Sequence, residues 1–529
     1  MTTGACFPVN EQTPQPIDLD PTIARFASAE RTADLGRTHF IGIGGAGMSV
    51  LAEMLHQQGV DVDGSDMQPG AKTERLVSLG IPVSIGQHEG NVRDAQVVVY
   101  SSAIKADNPE IVAAAAQGSR IVHRSDILAL LMHGRRAVTV AGAHGKTTTS
   151  SMLAHILTHG GTGALSDPSY AIGGSIQGPD GAMIDGGHAG AGDVLVAEAD
   201  ESDGSFAKYA PQIAIVTNAE PDHLDHYGDA EAYRAAFVDH LGHARGAIVV
   251  CADDASALAV LRQLDAATAA HAIAYGTTSR EDVGELNGAR YVHIAAETEH
   301  AGDGAESFTL DMPASVAEGR MDASGDDEGV VHVPVTLAVP GLHNARNATA
   351  AIVAATLLGM DPHQAAEAVP TFLGAARRFQ IRAQVNGVTV VDDYAHHPTE
   401  IAALLDAARR RYPDATIHVL FQPHLFSRTK FFAKEFADAL GSADDVIVTG
   451  VFPARERQQD FPDVGAATIA DMAGADAPID VEERMETAAQ MIAMRAKPGD
   501  VVFTVGAGDI TKMVPVIAHV LEAHAGKDD

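Results

Sequence analysis

The stretch AVTVAGAHGKTTTSSMLAHIL, residues 137–157, combines an apolar strand, a glycine-containing loop and the start of a helix. The loop ends in Gly145, Lys146, Thr147 and Thr148. In such a loop, backbone N–H groups at the helix N-terminus point at a phosphate, Lys146 supplies a point charge, and the Thr147 hydroxyl is placed to ligate Mg²⁺. The flanking strand and helix favour this phosphate cradle over a glycine turn with an incidental lysine.

The two long apolar strands that follow this loop both end in polar and acidic side chains. The first run contains Glu198, Asp200, Glu201 and Asp203, and the second contains Asn218, Glu220, Asp222, His223 and Asp225. Open α/β sheets bind ligands at the carboxyl ends of their strands. Either run alone is typical of a solvated loop, but two such runs after a phosphate loop indicate a site for a nucleotide triphosphate and its metal ion.

A second glycine motif lies near the start of the chain, in FIGIGGAGM at residues 40–48. Gly42, Gly44 and Gly47 fit the G-x-G-x-x-G pattern, and Asp66 follows nineteen residues after the last of them, as in dinucleotide-binding folds. The pattern predicts a turn that brings backbone amides close to a pyrophosphate. A nicotinamide dehydrogenase is one hypothesis, but it leaves the loop at Lys146 without a role. A nucleotide-binding regulator without catalytic activity is another.

Length and composition limit the classes of protein that the chain can represent. Its 529 residues exceed what one hydrophobic core usually organises, which predicts roughly two to four domains. The 70 acidic residues against 36 basic ones give a net charge of −34, which disfavours binding to nucleic acid or to anionic membranes. Two cysteines cannot form a disulfide framework, and the chain shows neither a signal-like start nor a long apolar segment. We therefore expect a cytoplasmic protein without membrane insertion.

Strand and helix patterns alternate along most of the chain, which predicts an α/β protein with parallel sheets. The predicted boundaries are a flexible N-terminal extension over residues 1–36 and three α/β domains over 37–133, 134–373 and 374–529. Within the second domain, residues 277–331 are acidic and glycine-rich. We interpret them as a surface insertion that contains a few strands, and the sequence assigns it no chemical role.

Seven short motifs appear in an order that resembles the Mur ligases of peptidoglycan synthesis, namely GAHGKTT, EADESD, NAEPDHLD, GLHNARNA, ARRF, DDYAHHPTE and PHLFSRT. The resemblance implies three domains: a Rossmann-like domain for a UDP-sugar, a central ATPase domain of the P-loop type with a parallel or mixed sheet, and a C-terminal Rossmann-like α/β domain. The last of these would close over ATP and carry the incoming amino acid. ATP and Mg²⁺, or Mn²⁺ in its place, are the implied cofactors.

The resemblance also assigns roles to side chains around ATP. It implies that Lys146 holds the β- and γ-phosphates and that the metal ligands are Thr147, Glu198 and His223. The implied catalytic set is Lys146, His223, Arg378 and His396. The residues expected to contact ATP are Gly142, Ala143, His144, Gly145, Lys146, Thr147, Thr148, His343, Asn344, Asn347, Arg378 and Asp393. For Asn344, a role as a helix cap is the plainer alternative.

Two further groups of residues are expected at the other substrates. Those for the UDP-sugar are Gly44, Gly45, Gly47, Met48, Ser65, Asp66, His88, Ser101 and Ser102. Those for the amino acid are Tyr394, His424 and Arg428, with Arg428 bound to the carboxylate by charge-assisted hydrogen bonds. Many relatives carry a second arginine directly after the histidine of PH-x-x-x-R, where this chain has Leu425. The resemblance leaves open which residue, if any, assists Arg428.

The motifs most resemble the branch that joins L-alanine to the muramyl carboxylate of UDP-N-acetylmuramate through an acyl phosphate, with release of ADP and phosphate. Several other branches use a carbamylated lysine, but the matching position here is Phe237, and no lysine occurs between Lys208 and Lys430. Murein peptide ligases, which attach a preformed tripeptide during recycling, are the alternative within the family. The sequence leaves open alanine, glycine or serine as acceptor, and a monomer or a homodimer as the assembly.

Overall fold

A computed structural model describes residues 17–295, 306–321, 329–474 and 478–525 of the chain. The chain folds into two compact units. The first comprises the residues up to 133 together with 203–208, and the second comprises 134–202 and 209 onward. Both units are built from alternating strands and helices, so the predicted α/β class is confirmed.

The first unit is built around a five-stranded parallel sheet. Its strands are β1 (Thr38–Ile41), β2 (Val62–Asp66), β3 (Val83–Ile85), β4 (Val97–Tyr100) and β5 (Arg120–His123). Its helices in the described residues are α1 (Ala46–Gln57), α2 (Ala71–Ser78), α3 (Pro109–Gln117) and α4 (Arg124–Met132). The strand order β3-β2-β1-β4-β5 reverses between β1 and β4. The FIGIGGAGM turn follows β1 at this switch point, where open sheets bind their ligands.

Part of the predicted N-terminal extension packs against the first unit. The backbone N–H of Arg25 donates to Asp126 at 3.2 Å, and the Lys208 amine donates to the carbonyl of Pro21 at 2.8 Å and to Asp126 at 2.7 Å. Ile17 packs beside a hydrophobic cluster of this unit. Residues 17–36 are therefore held by hydrogen bonds to the buried Lys208–Asp126 ion pair and by apolar contacts, whereas residues 1–16 lie outside the described residues.

The second unit contains a ten-stranded sheet and a six-stranded sheet. The strands of its first part are β6 (Arg136–Ala141), β7 (Ser169–Ala171), β8 (Ile176–Gln177), β9 (Met183–Ile184), β10 (Gly187–His188), β11 (Val194–Glu198), β12 (Ile213–Val216), β13 (Ala247–Cys251), β14 (Ala272–Gly276), β15 (Arg290–Ala295), β16 (Glu306–Pro313) and β17 (Val330–Leu337). The large sheet has the order β10-β7-β11-β6-β12-β13-β14-β15-β16-β17, and β8 pairs with β9 separately. The phosphate loop follows β6, near the centre of the large sheet.

The helices of this part are α5 (Lys146–Gly160), α6 (Leu224–Tyr227), α7 (Ala230–Gly242), α8 (Ala255–Gln263), α9 (Ala266–Ala269), α10 (Ala314–Ala317), α11 (Leu342–Leu357) and α12 (Pro362–Ala368). α11 buries thirteen of its sixteen residues, because the sequence NATAAIVAATL is rich in small side chains that allow close packing. α5 and α11 share one hydrophobic core with the strands. This packing brings the start of α11 to the phosphate loop.

The segment predicted to be an acidic surface insertion is partly sheet. β15 pairs with β14, and β16 and β17 extend the sheet as antiparallel strands. Burial alternates along β16, and Ile294, Leu310 and Val333 belong to the main core. These strands complete the sheet rather than lie on its surface, since their apolar residues recur with the period of two that a half-buried strand requires. The acidic stretches at 296–305 and 322–328 lie outside the described residues.

The six-stranded sheet follows, with the order β18-β19-β23-β20-β21-β22. Its strands are β18 (Gln380–Val385), β19 (Val388–Asp393), β20 (Ile417–Phe421), β21 (Asp445–Val448), β22 (Asp480–Val481) and β23 (Val501–Val505). Its helices are α13 (Pro398–Arg411), α14 (Phe426–Phe431), α15 (Ala433–Leu440), α16 (Ala467–Ala470), α17 (Met485–Arg495) and α18 (Val514–Ala525). Apart from β18, the strands run parallel. Within the described ranges, no helix is long and apolar enough to cross a membrane.

Candidate active site

The phosphate loop between β6 and α5 depends on two glycines with positive φ. Gly142 has φ +138° and Gly145 has φ +83°. A Cβ atom at Gly142 would lie 2.4 Å from Oγ1 of Thr217, and one at Gly145 would lie 2.8 Å from Oδ1 of Asn347. The loop is therefore held tightly between the end of β12 and α11, and glycine is the residue that fits both positions.

Lys146 begins α5, and its amine has two buried partners. Nζ donates to the carbonyl of Gly142 at 2.6 Å and to the two carboxylate oxygens of Glu201 at 3.0 and 2.9 Å. Burial alone lowers the pKa of Lys146, but the negative charge of Glu201 and its acidic neighbours outweighs burial and leaves the pKa above its ordinary value. Lys146 is thus a fixed cation beside the loop, as phosphate binding requires.

The three residues expected to ligate Mg²⁺ lie around this ion pair. Glu198, at the end of β11, accepts a hydrogen bond from the backbone of Gly173 at 3.1 Å and another from the Thr147 hydroxyl. His223 precedes α6 with φ +53°, and its Nε2 lies 3.9 Å from Oε1 of Glu201. Burial raises the pKa of Glu198, so a cation beside it would stabilise the ionised carboxylate. The hydroxyl, carboxylate and imidazole of these half-buried residues are groups that can ligate a divalent cation.

A cavity of about 320 Å³ opens beside the phosphate loop, a size that suits a small-molecule ligand. One wall comes from the loop, α11 and the ends of central strands, and the other comes from residues 378–404. Of the twelve residues expected at ATP, the eight that line the cavity are His144, Gly145, Thr148, His343, Asn344, Asn347, Arg378 and Asp393. The other four, Gly142, Ala143, Lys146 and Thr147, belong to the phosphate loop or begin α5.

The wall formed by α11 carries the neutral side chains of His343 and Asn344 together with Arg346, whose guanidinium donates to Asp253 at 2.6 Å. Gly341 is the N-cap of α11, so the alternative that Asn344 caps the helix is wrong. Instead, the Asn344 amide donates to the carbonyl of Pro340 at 2.7 Å. Burial and the positive charge of Arg346 lower the pKa of His343 to about 4. Neutral imidazole and amide groups can offer both donors and acceptors to a nucleobase.

The opposite wall supplies a cation and a carboxylate. Arg378 donates to Oε1 of Glu400 at 3.2 Å. Asp393, the last residue of β19, accepts backbone hydrogen bonds from Phe379 and Ala395, both at 2.7 Å. Burial raises the pKa of Asp393 to about 6. The loop before β18 and the end of β19 therefore bring both groups to the cavity that the phosphate loop begins.

A polar cluster links the phosphate loop to the start of α13. The sequence indicates its members His144 and Glu220 as parts of the nucleotide site, but not His397, Thr399 or Glu400. Nε2 of His144 lies 3.2 Å from Oε2 of Glu220, and Nδ1 of His144 lies 3.3 Å from Oε1 of Glu400. Glu220 also accepts from the Thr399 hydroxyl at 2.8 Å. Ligand atoms of His144, Glu220 and His397 lie within 4.8 Å of one another, close enough to hold a metal ion. The motif HHPTE is the part of the sequence that could have indicated this cluster, because His397 and Glu400 form the capping box of α13.

The residues expected at the amino acid are also brought together. The ring of His396 lies 5.4 Å from that of Tyr394 and 5.8 Å from that of His424, between centroids. Nδ1 of His424 is buried and has no hydrogen-bond partner in the part of the chain that the structure describes. Arg428 already has a partner, because its Nη2 donates to both carboxylate oxygens of Asp222 at 3.1 Å. The guanidinium of Arg428, which is expected to bind the substrate carboxylate, is therefore also paired with a carboxylate of the protein itself.

In the first unit, the glycine turn after β1 lies close to Asp66. The backbone N–H of Gly44 donates to Oδ2 of Asp66 at 2.9 Å, and a Cβ atom at Gly44 would lie 2.8 Å from the same oxygen. Gly45 is the N-cap of α1. A Cβ atom at Gly47 would lie 2.9 Å from Nη1 of Arg124. The turn thus presents backbone N–H groups at a helix N-terminus beside an arginine, which suits a pyrophosphate.

The other residues expected at the UDP-sugar divide into surface and interior positions. In the loops, His88 and Ser102 are exposed and Ser101 is half-buried. The Ser102 hydroxyl donates to Asp203 at 2.5 Å. Ser65 is fully buried and donates to Glu110 at 2.6 Å, and Met48 lies in the core. The side chains of Ser65 and Met48 therefore face the interior, where Ser65 already has Glu110 as its hydrogen-bond partner.

Three consecutive family matches cover most of the chain. Residues 37–136 match the catalytic domain of the Mur ligase family, 140–355 the Mur ligase middle domain, and 377–508 the glutamate ligase domain of Mur ligases. The chain belongs to the Mur ligase family. The three-domain α/β architecture that the motifs implied is thereby confirmed.

Relatives of this Mur ligase are similar over nearly their whole length. A UDP-N-acetylmuramate–L-alanine ligase from Bifidobacterium adolescentis is 66% identical over 521 residues, which cover 97% of this chain and 98% of the relative. One from Paenarthrobacter aurescens is 44% identical, with coverages of 92% and 97%. The crystal structure of a UDP-N-acetylmuramate–alanine ligase from Thermotoga maritima is 28% identical, covers 93% of this chain and 99% of its own, and has a TM-score of 0.71.

Proposed function

We propose that this Mur ligase uses ATP to join L-alanine to the muramyl carboxylate of UDP-N-acetylmuramate, releasing ADP and phosphate. The observation that carries the proposal is the 66% identity, over 97% of the chain, to a relative named for this reaction. The geometry of the site supports it. The second unit has a phosphate loop, a buried acidic cluster and a cavity of suitable size, and the first unit has a glycine turn at its switch point. A cytoplasmic location is part of the proposal, since the described cysteine, Cys251, is a buried free thiol.

The phosphate side of the site fits a nucleotide and a divalent cation. When bound, ATP would supply a phosphoryl group that converts the carboxylate into an acyl phosphate, and Mg²⁺ would neutralise phosphate charge. Thr147, Glu198 and His223 would hold the cation. The fixed ammonium group of Lys146 would hold the phosphate oxygens. The chain therefore contributes positioning and charge stabilisation more than covalent chemistry.

The amino-acid side of the site lies around His424, where the chain would orient the amine of alanine for attack on the acyl phosphate. His424 is neutral, because burial and neighbouring positive charge lower its pKa to about 4. Its buried Nδ1 is a hydrogen-bonding group still available to a substrate. The ring of His396 lies between those of His424 and Tyr394 and contacts both. The carboxylate of alanine would then lie toward Arg428.

The test is ADP release by the purified chain with ATP, Mg²⁺, UDP-N-acetylmuramate and L-alanine, each omitted in turn. We expect release to require all of them, and glycine to be a poorer acceptor, since one methyl group changes binding by about 1–3 kcal/mol. A parallel reaction contains the preformed tripeptide in place of L-alanine. Ligation of the tripeptide alone would assign the chain to the murein peptide ligases. ADP release that does not depend on any acceptor would exclude ligation altogether.

A further inference from the structure

The turn that carries Arg378 has an unusual backbone on both sides of that residue. Arg377 has φ +56° and Phe379 has φ +48°, so two residues with large side chains adopt the left-handed conformation that favours glycine. Such a backbone costs free energy and persists only where the surrounding contacts hold it in place. Arg378, between the two, lines the cavity beside the phosphate loop. The turn is therefore held in a strained form at the point where it meets the cavity.

The guanidinium of Arg377 binds groups at the ends of two strands. Its Nε donates to Oδ2 of Asp392 at 3.1 Å. Nη1 donates to the carbonyl of Gly508 at 3.2 Å, and Nη2 donates to the carbonyl of Gly506. Asp392 is fully buried near the end of β19, and Gly506 directly follows β23. Because β19 and β23 are neighbours in the six-stranded sheet, one side chain ties the turn to the ends of two adjacent strands.

The backbone of Arg377 and the ring of Tyr394 also fix this turn. The N–H of Arg377 donates to the side-chain carbonyl of Gln380 at 3.1 Å, and the carbonyl of Arg377 accepts from the N–H of Tyr394 at 2.7 Å. The centroid of the Tyr394 ring lies 4.9 Å from the guanidinium carbon of Arg377 and 5.5 Å from that of Arg378, which are cation–π distances. A shift of Arg377 would therefore reach Arg378 along the backbone and through this ring.

We propose that Arg377 is a positioning residue, whose contacts with the strand ends hold the 377–379 turn so that Arg378 lines the nucleotide cavity. The proposal rests on the proposed function, in which this cavity binds ATP. Arginine suits the role because its planar fork reaches a carboxylate and two carbonyls in fixed directions, which the single ammonium group of lysine does not reproduce. Arg377 thus acts on the reaction through Arg378.

The experiment compares Arg377→Ala and Arg377→Lys with Arg382→Ala as the matched control. Arg382 lies on β18 with a 38% exposed side chain, and its Nη1 is 3.8 Å from the same oxygen of Asp392. We expect Arg377→Ala to lower kcat/KM for ATP by about 10- to 100-fold, since a displacement of about 1 Å can cost this much. Arg377→Lys keeps a charge beside Asp392, so it should fold and show an intermediate loss. The control should stay within about twofold.

A double-mutant cycle separates positioning of Arg378 from a general effect on the fold. With Arg378→Ala already present, Arg377→Ala should lower kcat/KM for ATP by less than about twofold, because the group that it positions is gone. A residue that only supports the fold would cost the same factor in both backgrounds. Equal factors, or full activity of either Arg377 variant, would overturn the positioning role.

The lysine variant keeps the cycle usable if Arg377→Ala does not fold. The same cycle is then run with Arg377→Lys, and the loss that it causes should again disappear in the Arg378→Ala background. A loss that persists there would overturn the positioning role. If the unaltered chain shows no ADP release with all substrates present, the proposed function itself fails, which is a separate result.

Discussion

At the scale of single residues, Lys146 is the side chain on which the proposed phosphate binding depends. Lys146→Ala should lower turnover by about 10²- to 10³-fold, the usual loss when one preorganised charge-stabilising group is removed. It also leaves Glu201 buried without its partner, which costs about 3–5 kcal/mol of folding free energy. ADP release and urea unfolding measure the two effects.

The double variant Lys146→Ala/Glu201→Gln distinguishes catalysis from stability. It removes the unpaired carboxylate, so most of the lost stability should return while turnover stays low. Lys434→Ala is the control, because Lys434 lies on α15 with a 61% exposed side chain and an ion pair to Asp438. Recovery of turnover in the double variant would show that Lys146 serves folding and not phosphate binding.

Phe237 is a second residue with a measurable consequence. Its side chain is fully buried in α7 and lies 5.1 Å from Tyr233 between ring centroids. Phe237→Ala should lower the free energy of unfolding by about 3–5 kcal/mol, measured from the urea midpoint. Phe431→Ala, at a 70% exposed ring, should change it by less than about 0.5 kcal/mol. Because Phe237 cannot carry a carbamate, turnover should not depend on added bicarbonate, and stimulation by bicarbonate would contradict this interpretation.

At the scale of elements, His144 joins the phosphate loop to α13 and to the end of β12. Burial alone lowers the pKa of His144, but Glu400 and Glu220 outweigh it and raise the pKa to about 9. Because this value lies above the unfolded value of about 6.5, the stabilisation is fully present below pH 6.5 and is lost as pH rises through about 9. His397 does not oppose this trend, since burial lowers its pKa to about 4.

Urea unfolding between pH 6.5 and 9.5 tests the contact of His144 with Glu220 and Glu400. The interval runs from the unfolded pKa of His144 to just above its folded pKa. The unaltered chain should lose up to about 3 kcal/mol more than His144→Gln over this interval, because the glutamine does not titrate. His88→Gln is the control, since His88 is an exposed histidine of the first unit. Parallel stability curves for the unaltered chain and His144→Gln would show that His144 is not charged in the folded protein.

At the scale of the whole molecule, the two units should respond to different ligands. ATP with Mg²⁺ should slow hydrogen exchange in peptides that contain residues 142–148, 343–347 and 378–400, which surround one cavity. UDP-N-acetylmuramate alone should slow exchange around residues 42–48 and 66, at the switch point of the first unit. At a ligand concentration 100 times Kd, binding should stabilise the folded state against the opening that permits exchange by about 2.7 kcal/mol. Protection by ATP confined to the first unit would contradict the assignment of the two sites.

Local sequence was sufficient for the parts of the site that are made by consecutive residues. The strand, glycine loop and helix over 137–157 form as predicted, with Gly142 and Gly145 at positive φ. The helix entry at HHPTE likewise follows from its own residues, with Pro398 as the first residue of α13. These features depend on the conformational freedom of glycine, the fixed φ of proline and the unpaired N–H groups of a helix start, and all three act within a few residues.

The sequence by itself therefore determined the α/β class, the phosphate loop and the motifs that indicate a Mur ligase, because each is written in neighbouring residues. Only the tertiary structure decided which partners these residues have. Arg428 pairs with Asp222, 206 residues away in the chain, and Lys146 pairs with Glu201, 55 residues away. Likewise, the ring of Phe452, which follows β21, stacks on that of His424, which follows β20, because these two strands are neighbours in the sheet. Strand order and burial bring such groups together, and no spacing along the chain encodes them.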